Sequence, residues 1–136
     1  MANGWYEAGL RAFANKEVDW DIDDIRVSLL RTAYSVNLAT HDFYDDVVAD
    51  EIADAGASVA NSTVTGAGVL DADDFTFTAV TGTEVSYIIV SLYNATDSAR
   101  ALLFYIDTAG ANLPFTPNGS DVTIQWSSGG SKIAQL

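Results

Sequence analysis

Two runs of this chain are apolar without interruption, Tyr87-Ile88-Ile89-Val90 and Leu102-Leu103-Phe104-Tyr105-Ile106. Successive side chains of a strand point to opposite sides of its sheet, so a strand that is apolar at every position is covered on both faces. We therefore expect both runs to form strands at the centre of the fold. The cover has to come from the chain's own helices or from another subunit.

Further short strands are predicted from residue 57 onward, where β-branched residues alternate with small polar ones. The two central runs extend to strands at 85–93 and 101–107, and the other predicted strands cover residues 58–64, 75–80, 121–127 and 132–136. Turn signals separate them at Thr81-Gly82, Pro117-Asn118-Gly119 and Gly129-Gly130. This pattern predicts one mainly β domain, residues 1–136, built as a sandwich or a small barrel.

The N-terminal half is expected to add one or two short helices to the β fold. Tyr6, Leu10 and Phe13 recur at helical spacing, which predicts a helix within residues 4–16 whose apolar stripe faces the core. Three alanines in the same segment favour the helical state.

A strand and a second helix are predicted to follow. Alternating apolar residues from Ile25 predict a strand that ends near Arg31. Thr40 is a candidate N-cap, because its hydroxyl can accept a hydrogen bond from an amide of the first turn. It predicts a helix over residues 41–52, with Gly56 a few residues beyond as a stop signal.

Three aromatic residues near the N-terminus, Trp5, Tyr6 and Trp20, allow two interpretations. Aromatic side chains near a chain end are either core anchors or residues that dominate a protein interface. These three precede the first clear strand, so residues 1–20 form either a helix on the domain or an arm. On the second interpretation, Trp5, Tyr6 and Trp20 contact a partner.

The chain is strongly acidic, with nineteen Asp and Glu residues against six Lys and Arg residues and a formal net charge of −13. A surface field of this sign repels phosphate, so we expect no nucleic-acid partner. The absence of cysteine excludes disulfides and Cys-ligated zinc. No apolar run approaches the roughly 18 residues that span a bilayer, and no signal-like segment opens the chain, so we expect neither membrane insertion nor export.

Catalytic and metal-binding motifs are incomplete in this sequence. Residues 19–24 begin like a calcium loop, but Asp24 stands where the sharp turn needs Gly, and Leu30 where a Glu should close the shell. Residues 71–74 form a second acidic turn, and we expect both turns to be solvated, with a weak cation site of another geometry as the alternative. His41 has no triad partner and is expected in the first turn of its helix. We predict no enzyme, no bound metal and no cofactor.

Five phrases of the sequence resemble a family of small virion structural proteins of tailed bacteriophages. In order along the chain they are Asp19-Trp20-Asp21 with Asp24-Ile25-Arg26-Val27, Asn37-Leu38-Ala39-Thr40-His41-Asp42-Phe43, Asp71-Ala72-Asp73-Asp74-Phe75-Thr76-Phe77, Tyr105-Ile106-Asp107, and Pro117-Asn118-Gly119-Ser120-Asp121-Val122-Thr123-Ile124-Gln125-Trp126 with Lys132-Ile133 and Leu136. The last phrase departs from the family pattern at Ala134 and Gln135, where a second apolar residue is usual. The family carries no enzymatic motif.

The resemblance implies a structural protein of the virion, made in the host cytoplasm and located on the capsid surface. Its first implication is a capsid decoration, or cement, protein that binds the major capsid protein as a homo-oligomer, commonly a trimer. A tail or head–tail neck component is the alternative within this class. A carbohydrate-binding or adhesion module is the alternative from another class, and it would need exposed aromatic rings on one concave surface.

The charge predicts a negative result with nucleic acid. At physiological salt the protein should show no sub-micromolar affinity for duplex or single-stranded DNA, because −13 charges oppose the counterion release that drives such binding. A gel-shift titration with both forms of DNA measures this. Sub-micromolar binding would contradict the prediction and would favour a role that faces the genome.

Overall fold

The computed structural model describes residues 4–66, 68–107, 113–126 and 133–135. In these residues the architecture is mainly β, as the sequence predicts, with one α-helix, α1 (Glu7–Ala14). Single 3-10 turns lie at Tyr44–Asp46, Val48–Asp50 and Asp97–Ala99. The strands in chain order are β1 (Gly4–Trp5), β2 (Ile25–Arg31), β3 (Glu51–Asp54), β4 (Thr63–Thr65), β5 (Val69–Asp71), β6 (Phe75–Phe77), β7 (Val85–Leu92), β8 (Leu102–Ile106), β9 (Val122–Ile124) and β10 (Ala134–Gln135).

The described strands form three antiparallel sheets. The largest has five strands in the order β1-β8-β7-β2-β3, so the two apolar runs are neighbours in its interior, as expected. In their register Val90 lies opposite Phe104 and Ile88 lies opposite Ile106. Of the smaller sheets, one has the order β10-β5-β4 and the other pairs β6 with β9.

One face of the five-stranded sheet packs against the two smaller sheets. The buried side chains that this face contributes are Ile25, Val27, Leu29, Ile88, Val90, Phe104 and Ile106. They share one cluster with Leu70, Phe77 and Ile124 of the smaller sheets. Complete burial of an aliphatic or aromatic side chain stabilises the fold by about 1.5–3 kcal/mol, so this layer is the main apolar core.

The opposite face of the same sheet is covered by loops of the chain. Leu30, Ile89 and Leu102 are buried there under side chains that precede α1 or lie between β2 and β3. The covering side chains are Tyr6, Tyr34, Tyr44 and Val47. The two apolar strands are thus covered on both faces within a single chain, although a second helix takes no part.

Helix α1 lies against β8 through its smallest side chains. Gly9 and Ala12 are buried, whereas Leu10 is 47% exposed, so the predicted stripe is wrong at that position. A Cβ on Gly9 would stand 2.6 Å from the Cα of Leu103 and closer still to its carbonyl oxygen. Because glycine has no Cβ, the helix can approach the strand backbone this closely. Tyr6, directly before the helix, is fully buried.

The second predicted helix, over residues 41–52, does not form. Two 3-10 turns and the beginning of β3 occupy this segment, so Thr40 caps no helix. The Asp46 carboxylate accepts hydrogen bonds from two preceding backbone amides. The amide of Tyr44 donates to the carbonyl of Arg100 at 2.8 Å. Tertiary hydrogen bonds and the pairing of β3 with β2 outweigh the local helix preference.

The predicted strands 75–80 and 121–127 are placed correctly but are longer than those observed. β6 and β9 have three residues each within their predicted ranges. The predicted strand 58–64 is replaced by the hairpin of β4 and β5, in which Gly68 has a φ of 72°. The predicted turn Gly129-Gly130 and the predicted strand end positions Lys132 and Leu136 lie outside the described residues.

The close approach of α1 to β8 can be tested at Gly9. Gly9→Ala should lower the free energy of unfolding by about 1–3 kcal/mol, because the added methyl group overlaps the backbone of β8 and overpacks the site. Gly56→Ala is the matched control, since a Cβ there meets nothing within 4 Å, and its effect should stay within about 0.5 kcal/mol. Urea denaturation measures both. Equal stabilities of the two variants would contradict the close approach.

Candidate functional site

Arg100 is a buried cation at the junction of three strands. Its side chain is 2% exposed, and it directly follows the 3-10 turn Asp97–Ala99. The guanidinium donates to both carboxylate oxygens of Asp54 on β3, at 2.7 and 2.9 Å. It also donates to the hydroxyl of Ser91 on β7 at 2.8 Å and to that of Ser28 on β2 at 3.3 Å. One side chain therefore connects three neighbouring strands.

Arg100 and Asp54 stabilise each other's charge. Burial opposes ionisation of Asp54, but hydrogen bonds from Arg100 and Ser28 outweigh it and hold the pKa of this carboxyl below its usual value. Burial also opposes the charge of Arg100, and the Asp54 carboxylate more than compensates, so the pKa of the guanidinium is raised. The ring of Tyr44 lies 3.9 Å from the guanidinium and adds a cation–π contact. Both groups are ionised in the fold, and their role is to link strands.

The sequence analysis does not predict this pair, because Arg100 enters it only as one of the six Lys and Arg residues. Three of these cations form ion pairs with aspartates: Arg26 with Asp24, Arg31 with Asp50, and Arg100 with Asp54. The sequence nevertheless contains a signal that Arg100 is buried. Between residue 57 and the C-terminus Arg100 is one of two cations, and it stands two residues before an apolar strand. A cation in such surroundings is expected to be buried with a partner.

The structure places two of the three candidate interface residues in the core. Tyr6 is fully buried and Trp20 is 2% exposed. Trp5 is half-buried, and its ring centroid lies 4.8 Å from that of Phe104 and 5.6 Å from that of Phe13. Tyr6 and Trp20 have no surface to offer a partner, so for these two residues the interface interpretation is corrected to core anchors. The N-terminal segment forms β1 and α1 on the sheet and not an arm.

A chain of hydrogen bonds joins Tyr6, Tyr34 and His41. The hydroxyls of Tyr6 and Tyr34 are 2.8 Å apart, and the Tyr34 hydroxyl is 2.8 Å from Nδ1 of His41. Burial is the main cause that raises the pKa of Tyr6 and raises the pKa of Tyr34 to about 12. Both phenols are therefore neutral at physiological pH. His41 was expected in a helix, but it lies in a turn in which its amide donates to the carbonyl of Asn37.

The two acidic turns satisfy donors of the chain itself. In the first turn, the amide of Asp19 donates to Oδ2 of Asp23 at 2.7 Å, and a hydrogen bond with Asp21 raises the pKa of Asp19. In the second, Asp74 accepts from the amide of Trp126 at 2.9 Å. Asp19, Asp21, Asp73 and Asp74 are exposed, so both turns are open to solvent as the sequence predicts, and hydrogen bonds within the chain also hold them. Within the part of the chain that the structure describes, no three His, Asp or Glu side chains are grouped so that they could hold a metal ion.

Aromatic and aliphatic side chains are distributed differently over the surface. The three Trp, six Tyr and six Phe residues are all buried or half-buried. The exposed large apolar side chains of the described residues are aliphatic, namely Leu10, Ile22, Val48 and Val64. Ile22, in the first acidic turn, is 78% exposed. The surface thus offers exposed aliphatic side chains, of which Ile22 lies between two aspartates, and its aromatic rings are at most half-exposed.

A scan against models of known protein families finds no match for this chain, and neither does a search of curated proteins. In the described ranges, no helix combines the length and the apolar character that a membrane span requires. A function for this chain therefore has to be inferred from the chemistry of its own residues.

The ion pair of Arg100 and Asp54 generates a stability prediction. Arg100→Met should lower the free energy of unfolding by about 3–5 kcal/mol, because it leaves the Asp54 carboxylate without its buried partner. Adding Asp54→Leu should recover part of this loss, because no buried charge then lacks a partner. Chemical denaturation of both single variants and of the double variant gives the coupling energy. Additive losses would contradict a direct pair.

Acid should weaken the wild-type fold through the same pair. The pKa of Asp54 is lower in the fold than in the unfolded chain, so its contribution to stability is present above about pH 4 and is lost as the pH falls below that value. In the variant Arg100→Met Asp54→Leu this component should be absent. Urea midpoints measured between about pH 5 and pH 2.5 test it. An unchanged acid dependence in the double variant would show that other carboxyls cause it.

Proposed function

We propose that the chain is a structural protein of a bacteriophage virion, a decoration protein that stabilises the head shell through protein–protein contacts. The position of the aromatic residues carries this proposal. A carbohydrate-binding module stacks exposed rings on sugars, whereas here every Trp, Tyr and Phe is buried or half-buried. Aliphatic side chains are exposed instead, and they gain affinity by burial against another protein.

Ile22 is the strongest contact candidate on this surface. It is 78% exposed in a turn that internal hydrogen bonds hold, since the amides of Ile22 and Asp23 both donate to the carbonyl of Asp19. Trp20 anchors the same turn, because its indole N–H donates to the carbonyl of Asp71 at 2.9 Å. A backbone that is already held loses little conformational entropy on binding. The surrounding carboxylates favour a partner surface with a basic rim.

The proposed functional unit is a homo-oligomer, a trimer, seated on the major capsid protein. The five-stranded sheet is open, and β1 forms one of its edges. Cyclic association shelters such edges from unwanted pairing. The net charge of −13 keeps the free protein soluble until a complementary surface is present.

The location is tested on assembled particles. Purified protein added to heads that lack it should bind to the shell at a fixed number of copies, visible by electron microscopy of the particles. It should also raise the temperature at which the shell breaks. Binding at the neck or tail alone would replace the decoration role by the alternative within the same class. Binding to immobilised polysaccharide and not to particles would overturn the structural role.

Replacing Ile22 should weaken particle binding without affecting the fold. Ile22→Ser should reduce affinity about 5- to 30-fold, a loss of roughly 1–2 kcal/mol for an apolar side chain removed from an interface. The melting temperature of the free variant should match the wild type, because the side chain is 78% exposed. Val64→Ser, at an exposed aliphatic residue of β4, is the matched control. A loss of particle affinity in Val64→Ser but not in Ile22→Ser would place the contact on the three-stranded sheet that contains β4.

A further inference from the structure

A groove of about 410 Å³ lies between β3 and β6. Its walls are residues 52–56 on one side and residues 75–81 on the other. The volume falls within the range of about 300–1,000 Å³ that is usual for ligand sites. Nothing in the contacts described above occupies this space.

The groove follows the edges of the two strands. All residues from 52 to 56 and from 75 to 81 line the groove, so side chains from both faces of each strand contribute to it. This is expected when a cavity borders the edge of a strand and not one face of a sheet. In the described residues β3 pairs with β2 alone and β6 pairs with β9 alone. The outer backbone N–H and C=O groups of two strands therefore face one gap. Unpaired edges of this kind are templates for an added strand.

In the groove wall beyond β6, the backbone adopts an uncommon conformation that a hydrogen bond fixes. Ala79 has a φ of 51°, in the left-handed region that residues other than glycine rarely adopt. Its amide donates to Oδ1 of Asp121 at 2.9 Å, which fixes this conformation. Backbone strain of this kind is concentrated at ligand clamps and active sites. It is an observation independent of the groove's volume.

The chemistry of the walls specifies the occupant. Ile52 and Phe75 are half-buried and provide apolar surface, whereas Phe77 is buried, and Thr76 and Thr78 are exposed in the same wall. The lining contains no Lys or Arg, and the whole chain carries −13 charges. A basic segment is attracted to a surface of this charge.

We propose that this groove binds an extended segment of a partner protein, which adds a strand between β3 and β6, places aliphatic side chains on the apolar walls and carries Lys or Arg at its ends. The inference rests on the proposed function in that it takes a protein as the partner. Its test uses a peptide and no particles, so the two proposals fail separately.

The probe is the peptide acetyl-Lys-Val-Thr-Val-Thr-Val-Lys-amide, added to isotope-labelled protein and followed by NMR. Backbone amides of residues 52–56 and 75–81 should shift and saturate. A peptide of equal charge with proline at alternate positions should bind at least about tenfold more weakly, because proline has no N–H to donate. A peptide with Glu at both ends should also bind more weakly.

Two variants locate the site. Thr78→Lys adds a positive charge to the groove wall and should weaken binding of the basic peptide about tenfold or more. Thr83→Lys is the matched control, since Thr83 is exposed and lies outside the lining, and it should leave the affinity within about twofold. Circular dichroism confirms that both variants are folded.

Four results would overturn the proposal. Equal binding of the proline peptide would show attraction by charge alone. Saturating shifts confined to the acidic turn at residues 19–24 would place the site elsewhere. Concentration-dependent shifts at the groove amides without any peptide would identify a second copy as the occupant. No shift at millimolar peptide would show that the groove does not accept a strand.

Discussion

The buried guanidinium of Arg100 constrains the rest of the fold. A charge that is 98% removed from water is tolerated only where its donors are satisfied, and here the acceptors come from β7, β2 and β3. These strands must therefore be neighbours in register before the charge is satisfied. The backbone carbonyl of Arg100 also accepts the amide of Tyr44, so the loop that covers one face of the sheet is held at the same point.

Coverage of both sheet faces by one chain determines where this protein can bind others. The apolar strands β7 and β8, which alone would demand a partner subunit, are already buried by the smaller sheets and by the loop between β2 and β3. Contacts with other proteins are left to turns, exposed aliphatic side chains and strand edges. Ile22 and the groove beside β3 are features of these kinds, and they lie on different parts of the chain.

The acidic surface gives these contacts a common requirement. Among the described residues three cations are paired with aspartates, and the whole sequence has nineteen Asp and Glu residues against six Lys and Arg residues. A partner that buries Ile22 or enters the groove has to supply positive charge, and the interaction weakens as salt screens it. This charge is consistent with the proposed decoration role, in which the free protein stays soluble until it meets a complementary surface.

The sequence by itself determined the fold class, the two central strands at residues 87–90 and 102–106 and the helix before them, because apolar runs and short-range spacing are local properties. Only the tertiary structure decided what depends on distant partners. Residues 41–52 became 3-10 turns and an edge strand because β2 offered pairing that a helix cannot use. Tyr6 became a core residue because the sheet covers it. Arg100 found acceptors on three strands up to 72 positions away, and no local pattern encodes such an arrangement.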